Sequence, residues 1–181
     1  MVDVILTERT GLEMAQISAW PAASRGVFRI LTEVLDVPPP ELPNTVANQG
    51  QTKILWLGPN RWLIVRPTKS HDLASELAAR LPFDSAAVVE LGAGRCVFAV
   101  SGPRARDVLV KHLPLDLSAS QFSVGRCAQS AIAHIGVLIH AEGQDRFELF
   151  VYRSFAQHLW TVLTDAALEF GLEVQPREVG G

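Results

Sequence analysis

The sequence contains no apolar run near the roughly 18 residues that a membrane-spanning helix needs. Charged residues make up only 19% of its 181 positions, whereas hydrophobic residues make up 48%. The net charge is −3, and the Lys and Arg residues are scattered rather than clustered. These shortages argue against a membrane protein and a nucleic-acid-binding protein. They predict one globular core or two small packed lobes, with some apolar surface that a partner covers.

The chain has only two cysteines, Cys96 and Cys127, and both fall in predicted strands. The first residues, Met1 to Arg9, include an early acid and lack the charged-then-apolar order of a secretory signal. A cytoplasmic location follows from this interpretation. In that reducing compartment, buried free thiols are favoured over a disulfide.

The sequence also lacks a recognisable catalytic or metal-binding cluster. Its histidines form no i, i+4 pair with one another or with a cysteine, and no pair has metal-ligand spacing. Gly92-Ala93-Gly94 lacks the third glycine of a dinucleotide-binding motif, and a strand rather than a helix follows it, so a hairpin turn is predicted. The five histidines are His71, His112, His134, His140 and His158.

One unit that is clearly present is a strand followed by a sharp turn and a helix, over Cys96–Leu113. Its apolar strand ends at Ser101-Gly102, and Pro103 occupies the first helical position, which suits the fixed φ of proline. The same unit recurs over Trp62–Leu81 and Phe147–Leu163. The repeat predicts an α+β fold of two related halves, with antiparallel sheets and helices packed on them.

The predicted organisation has three parts. Residues 1–51 form an N-terminal arm, a helix and a linker, residues 52–174 form the main domain, and residues 175–181 form a loose tail. Residues 1–22 show no clear period, and Ala15-Gln-Ile-Ser-Ala-Trp20-Pro21 is typical of a surface arm with one aromatic anchor. Helix N-caps are predicted at Ser24, Ser70 and Ser154.

Four residues are candidates for a partner interface. Trp56 and Trp62 flank the predicted Gly58-Pro59-Asn60 hairpin turn, and tryptophan is enriched in interface hot spots, although core packing is the alternative. Arg104 and Arg106 lie in the first turn of a predicted helix, where the helix dipole disfavours cations. An acidic residue, a partner or an anionic ligand would compensate for this, and simple solvation is the alternative.

The segment from Val88 to Trp160 resembles a known family. It carries Val-Val-Glu-Leu-Gly-Ala-Gly-Arg-Cys-Val-Phe-Ala-Val-Ser-Gly-Pro-Arg-Ala-Arg-Asp-Val-Leu, then Leu-Pro-Leu-Asp-Leu, then Asp-Arg-Phe-Glu-Leu-Phe-Val-Tyr-Arg-Ser-Phe. These motifs, with the hairpin Gly58–Leu63, resemble the gamma subunits of heterotetrameric sarcosine oxidases. That family is in turn similar to the folate-binding domain of the glycine-cleavage aminomethyltransferase.

The resemblance implies a pseudo-duplicated, aminomethyltransferase-like fold and membership of a complex that oxidises sarcosine. In such a complex the larger subunits are expected to carry FAD, FMN, NAD and tetrahydrofolate, and the gamma subunit looks non-catalytic. Relatives of the aminomethyltransferase usually have Asp, an apolar residue and Ser where this chain has Glu90-Leu91-Gly92. This departure weakens the inference of a folate site.

The sequence therefore predicts an accessory gamma subunit that docks on the larger subunits of a sarcosine oxidase and takes part in sarcosine and one-carbon metabolism. No catalytic residue, cofactor-binding residue or metal ligand is assigned to this chain. One alternative is a stand-alone folate-binding protein of one-carbon transfer. Another is a degenerate domain that self-associates when isolated.

Overall fold

The structure of the chain, a computed structural model, describes residues 2–69 and 72–180. These residues form two β-sheets and four α-helices. In chain order the elements are β1 Val4–Thr10, β2 Leu12–Ala19, α1 Ser24–Leu35, β3 Val46–Gln49, β4 Thr52–Gly58, β5 Arg61–Pro67, α2 Leu73–Arg80, β6 Ala86–Glu90, β7 Arg95–Ser101, α3 Ala105–Val110, β8 Cys127–Ile132, β9 Ile135–Gly143, β10 Arg146–Tyr152, α4 Ala156–Ala167, β11 Leu172–Val174 and β12 Glu178–Val179.

The chain divides into two compact units. The first unit is Gly11–Ala93, and the second combines the residues up to Thr10 with Gly94–Val179. Each unit follows the same order of elements, strand, helix, three strands, helix and strand, beginning with β2 in the first unit and with β7 in the second. The strand order is β3-β4-β5-β2-β6 in one sheet and β11-β1-β7-β10-β9-β8 in the other. The predicted pseudo-duplicated α+β fold is confirmed.

In the first unit, α1 and α2 cover one face of the five-stranded sheet. Both helices present apolar residues at helical spacing, and these pack on alternate residues of the strands, because successive side chains of a strand point to opposite faces. The buried cluster includes Ile17, Val27, Leu31, Ile54, Trp62, Ile64, Leu73 and Leu77. The hairpin of β4 and β5 agrees with its predicted position.

In the second unit, α3 and α4 cover one face of the other sheet in the same way. The cluster includes Leu6, Phe98, Val108, Leu109, Ile139, Phe147, Leu149, Leu159 and Leu163. Gly102 ends β7 with φ 110°, and a Cβ at this position would collide with the backbone carbonyl of Asp3. The strand-to-helix turn of Cys96–Leu113 therefore requires glycine. Cys96 and Cys127 are both buried, as predicted.

The prediction of a surface arm over Ala15–Pro21 is wrong for Ala15–Ala19, which belong to β2, whereas Trp20 and Pro21 are exposed. β1 lies between β7 and β11, and β2 lies between β5 and β6, so both strands are internal to their sheets. The apolar pattern of β1 is weak because it ends in the polar run Thr7-Glu8-Arg9-Thr10, in which Thr7 and Arg9 are nevertheless largely buried. β3 interrupts the predicted linker, and β12 pairs with β1 within the predicted loose tail.

The helix caps also differ from prediction. The N-cap of α1 is Ala23, and the Ser24 hydroxyl donates to the Pro21 carbonyl at 3.0 Å. Ser70 lies outside the described residues, and Asp72 is the N-cap of α2, where its carboxylate accepts the Ser75 N–H at 2.8 Å. Ser154 lies in a short 3₁₀ turn before α4, whose N-cap is Phe155.

The Asp72 cap makes stability depend on pH. Hydrogen bonds from Ser75 lower the pKa of the Asp72 carboxyl below its ordinary value of 3.8. The folded-state pKa is the lower one, so the ionised cap stabilises the fold above pH 3.8, and this contribution is lost as the pH falls through the folded pKa. We expect Asp72→Ala to lower the thermal unfolding midpoint at pH 7 and to lower it less at pH 3, measured by circular dichroism.

Asp72→Asn is the matched control, because asparagine remains a good N-cap without a titrating group. We expect its loss at pH 7 to be smaller than that of Asp72→Ala. Equal midpoints for the alanine variant and the wild type at pH 7 would contradict this assignment.

Candidate partner interface

The two tryptophans lie opposite each other on the hairpin of β4 and β5. Trp56 pairs with Trp62 in the strand register, close to the turn, where Asn60 adopts φ 58°. Trp62 is only 4% exposed, and its indole N–H donates to the Pro40 carbonyl at 2.9 Å. Trp56 is half-buried. Trp62 is thus a core residue whose indole holds the backbone at Pro40, whereas Trp56 is partly exposed at the surface.

A surface groove with a volume of about 420 Å³ opens beside this pair. We call it the Trp groove. Its apolar lining consists of Phe28, Pro40, Trp56, Pro59 and Trp62. Arg25 and Glu41 also line it, and both are exposed. Aromatic and proline side chains with a few charged groups at the edge resemble the composition of protein interfaces, where aromatic residues are enriched.

Arg104 lies at the N-cap of α3 and is about half exposed. Its guanidinium is 3.1 Å from the Asp107 carboxylate and lies 4.9 Å above the centre of the Phe170 ring. The acidic residue and the aromatic face compensate for the unfavourable helix dipole. The side chain retains enough exposure to contact another protein.

Arg106 points inward and has a structural role. Its guanidinium donates to the Leu117 carbonyl and, at 2.7 Å, to the Gln144 carbonyl, and it lies 4.9 Å above the Phe147 ring. It therefore ties the loop after α3 and the turn between β9 and β10 to the helix. These contacts account for an arginine in the first turn without a partner. The two tryptophans belong to the first unit and the two arginines to the second.

A buried polar network in the second unit was not foreseen from the sequence. His140 Nδ1 lies 2.8 Å from the Glu148 carboxylate, and Arg9 pairs with Glu148 and with Glu142. The sequence sign of this network is the placement of polar residues at alternate positions of the strands.

Burial alone would lower the pKa of Arg146, but the carboxylates of Glu142 and Glu178 raise it above its ordinary value.

Cys127 lies opposite His140 in the register, so a thiol, an imidazole and the Glu148 carboxylate follow one another across three strands. Such a row has the chemical types of a nucleophile, a base and an orienting acid. However, the exposed fractions of the three residues are 0%, 2% and 1%, which leaves a substrate no access. The row is a structural feature of the sheet.

Among residues 2–69 and 72–180, no group of three or more His, Cys, Asp or Glu side chains could hold a metal ion. No helix in the same ranges is long and apolar enough to cross a membrane.

In the Glu90-Leu91-Gly92 turn, the Glu90 carboxylate binds the backbone of its own turn. Glu90 Oε1 accepts the backbone N–H groups of Gly92 and Ala93, so it closes its own turn. A Cβ at Gly92 would lie 2.8 Å from this oxygen and 3.3 Å from the Leu12 carbonyl. Glu90 is exposed and bound within the turn, and it does not fit the role of a buried carboxylate that holds a pterin.

The duplicated architecture places the chain in a known structural class. It is similar to the crystal structure of glycine cleavage system aminomethyltransferase T from Bartonella henselae, with a TM-score of 0.66, 15% identity, and coverage of 97% of this chain and 48% of that chain. At this identity the likeness shows the fold alone.

The chain belongs to the sarcosine oxidase, gamma subunit family, whose model matches residues 18–169. A sarcosine oxidase subunit gamma from Corynebacterium sp. (strain P-1) is 33% identical over 159 residues, covering 87% of this chain and 78% of that protein. A chain of the heterotetrameric sarcosine oxidase structure from Corynebacterium sp. U-96 matches with a TM-score of 0.85 and 30% identity, covering 92% of this chain and 85% of that chain.

The contrast between the two arginines is open to test. Arg106→Ala removes charge-assisted hydrogen bonds to backbone carbonyls and should reduce the free energy of unfolding by about 2 kcal/mol. Arg104→Ala removes a half-exposed ion pair and should change it by less than about 0.5 kcal/mol. Urea denaturation of both variants measures the difference, and equal stabilities would refute the structural role of Arg106.

Proposed function

We propose that this chain is the accessory gamma subunit of a heterotetrameric sarcosine oxidase and docks on its larger subunits. The match to a chain of the heterotetrameric enzyme over 92% of this sequence carries the proposal. The family assignment over residues 18–169 supports it independently. In this complex the oxidative demethylation of sarcosine takes place on the larger subunits, and this chain contributes structure rather than chemistry.

The interior of the chain supports a non-catalytic role. His140 and Glu148 are buried and bonded to each other, and Arg9 and Arg66 are engaged with carboxylates. The larger subunits would then carry FAD, FMN, NAD and tetrahydrofolate, whose chemistry is oxidation of the substrate and transfer of its one-carbon unit. We place the complex in the cytoplasm, in sarcosine and one-carbon metabolism.

A stand-alone folate-binding protein of one-carbon transfer is the competing function, because the fold resembles that of an aminomethyltransferase. The Glu90 turn argues against it. One oxygen of the Glu90 carboxylate accepts two amides of its own turn, and Gly92 offers no hydroxyl. A pterin ring would need buried polar groups that fix its orientation.

Co-expression tests the main proposal. The tagged full-length chain is expressed with the larger sarcosine oxidase subunits of the same organism and purified under gentle conditions. We expect a complex that contains this chain together with flavin-carrying subunits, identified by native mass spectrometry and flavin absorbance. Purification of the chain without any larger subunit, while those subunits are present and folded, would refute the proposal.

Calorimetric titration of the isolated chain with tetrahydrofolate separates the two functions. We expect no measurable heat at millimolar ligand. Saturable binding with a Kd in the micromolar range would favour the one-carbon alternative. Glu90→Ala then shows whether the turn is involved, because a turn-capping carboxylate would change stability and leave any folate affinity unchanged.

A further inference from the structure

Phe83 is a large aromatic residue whose side chain is fully exposed. It lies in the turn between α2 and β6, flanked by the buried residues Leu81 and Ser85. The Ser85 N–H and hydroxyl both donate to the Pro82 carbonyl, at 2.9 and 2.6 Å. The turn is therefore a fixed support that holds the ring in water, which is unfavourable unless another surface covers it.

Trp20 is a second exposed aromatic residue, on a segment hydrogen-bonded to this turn. It is half exposed, and its backbone N–H donates to the Ser85 carbonyl at 2.9 Å, which joins it to the Phe83 turn. The N–H of the preceding Ala19 donates to the Asn60 carbonyl at 2.9 Å, and Asn60 lines the Trp groove. Backbone hydrogen bonds thus join the segments that carry Phe83, Trp20 and the Asn60 side of the Trp groove in the first unit.

The adjoining strand β6 is an unprotected sheet edge. It pairs with β2 along one side and ends the strand order of its sheet among the described residues. Ala86-Ala-Val-Val-Glu90 has no proline or lysine and no charge before its last residue, and Val89 is exposed. Its counterpart in the second unit, β11, has three residues with a central glutamate. Short, charged edges resist pairing with another chain, whereas an apolar edge such as β6 favours it.

We propose that Trp20, Phe83 and the free edge of β6 form the surface on which a larger subunit docks. The proposal rests on the proposed function and names the docking face. The occupant is a protein chain that offers an apolar pocket to Phe83 and an extended segment that pairs with β6. Strand addition supplies affinity through main-chain hydrogen bonds, and the pocket for an adjacent side chain supplies specificity. A rigid aromatic residue loses little entropy on binding.

The occupant is a larger subunit rather than a second copy, because this chain matches a chain of a heterotetrameric enzyme over 92% of its length. Aromatic side chains bury about 150–250 Å² each, so Phe83 and the exposed half of Trp20 offer roughly 300 Å². A stable interface needs about 800 Å² on each partner. The patch is smaller than a whole interface with any partner, so it has the size of an anchor within a wider interface.

The test compares variants in the co-expressed complex. Phe83→Ala and Val89→Lys change exposed side chains, so both variants should fold with wild-type thermal midpoints. Phe155→Ala and Val174→Lys are the controls in the second unit, where Phe155 is 50% exposed against 101% for Phe83 and Val174 is 54% exposed against 46% for Val89. Dissociation constants for the larger subunits are measured by surface plasmon resonance, and light scattering measures self-association.

We expect Phe83→Ala to weaken binding about 30-fold and Val89→Lys about 10-fold, with both controls within about twofold of wild type. Wild-type affinity in both test variants would overturn the docking face while leaving the proposed function intact. Failure of the wild type to bind would overturn both. A wild-type homodimer that Phe83→Ala dissociates, with unchanged binding to the larger subunits, would assign the face to a second copy and refute the proposal.

Discussion

The pairing of buried arginines fixes the strands of both sheets. In the first unit, Arg66 on β5 contacts Glu13 on β2 at 2.9 Å and Glu76 on α2 at 2.8 Å. In the second unit, Arg9 on β1 pairs with carboxylates on β9 and β10. Removing one partner of a buried ion pair costs about 3–5 kcal/mol, because the remaining charge is left without compensation. Slipping β1 by one residue would move Arg9 to the helix-covered face, so these pairs specify register.

The dependence of these strands on distant ion-pair partners also explains which elements could be predicted from the sequence. The hairpin of β4 and β5 and the strand of the Cys96–Leu113 unit are largely apolar runs bounded by turn residues, and local pattern suffices to locate them. β1 and β2 carry Arg9 and Glu13 among their apolar residues. Their polar side chains are acceptable inside only because partners more than 50 residues away neutralise them, and no local pattern contains that information.

In the candidate interface, too, some features could be predicted from the sequence and others could not. The aromatic hairpin that forms part of the Trp groove was recognisable from residue types near a turn. The inward orientation of Arg106 was not, because the carbonyls that bind it belong to a loop 11 residues and a turn 38 residues further along the chain. Phe83 was not recognised either. Sequence pattern places it after Pro82, but only the fold shows that no described residue covers its ring.

The duplicated fold separates the requirements of stability from those of binding. Each unit buries its own helix-covered core, so the first unit does not need Phe83 or the edge of β6 for folding. Phe83 does not contribute to this core. Its exposed ring on a hydrogen-bonded turn reduces solubility without a gain in stability. The Glu90 carboxylate also agrees with a binding role rather than a chemical one, because it accepts hydrogen bonds within its own turn. Both observations agree with the proposed role, in which this chain docks on another protein.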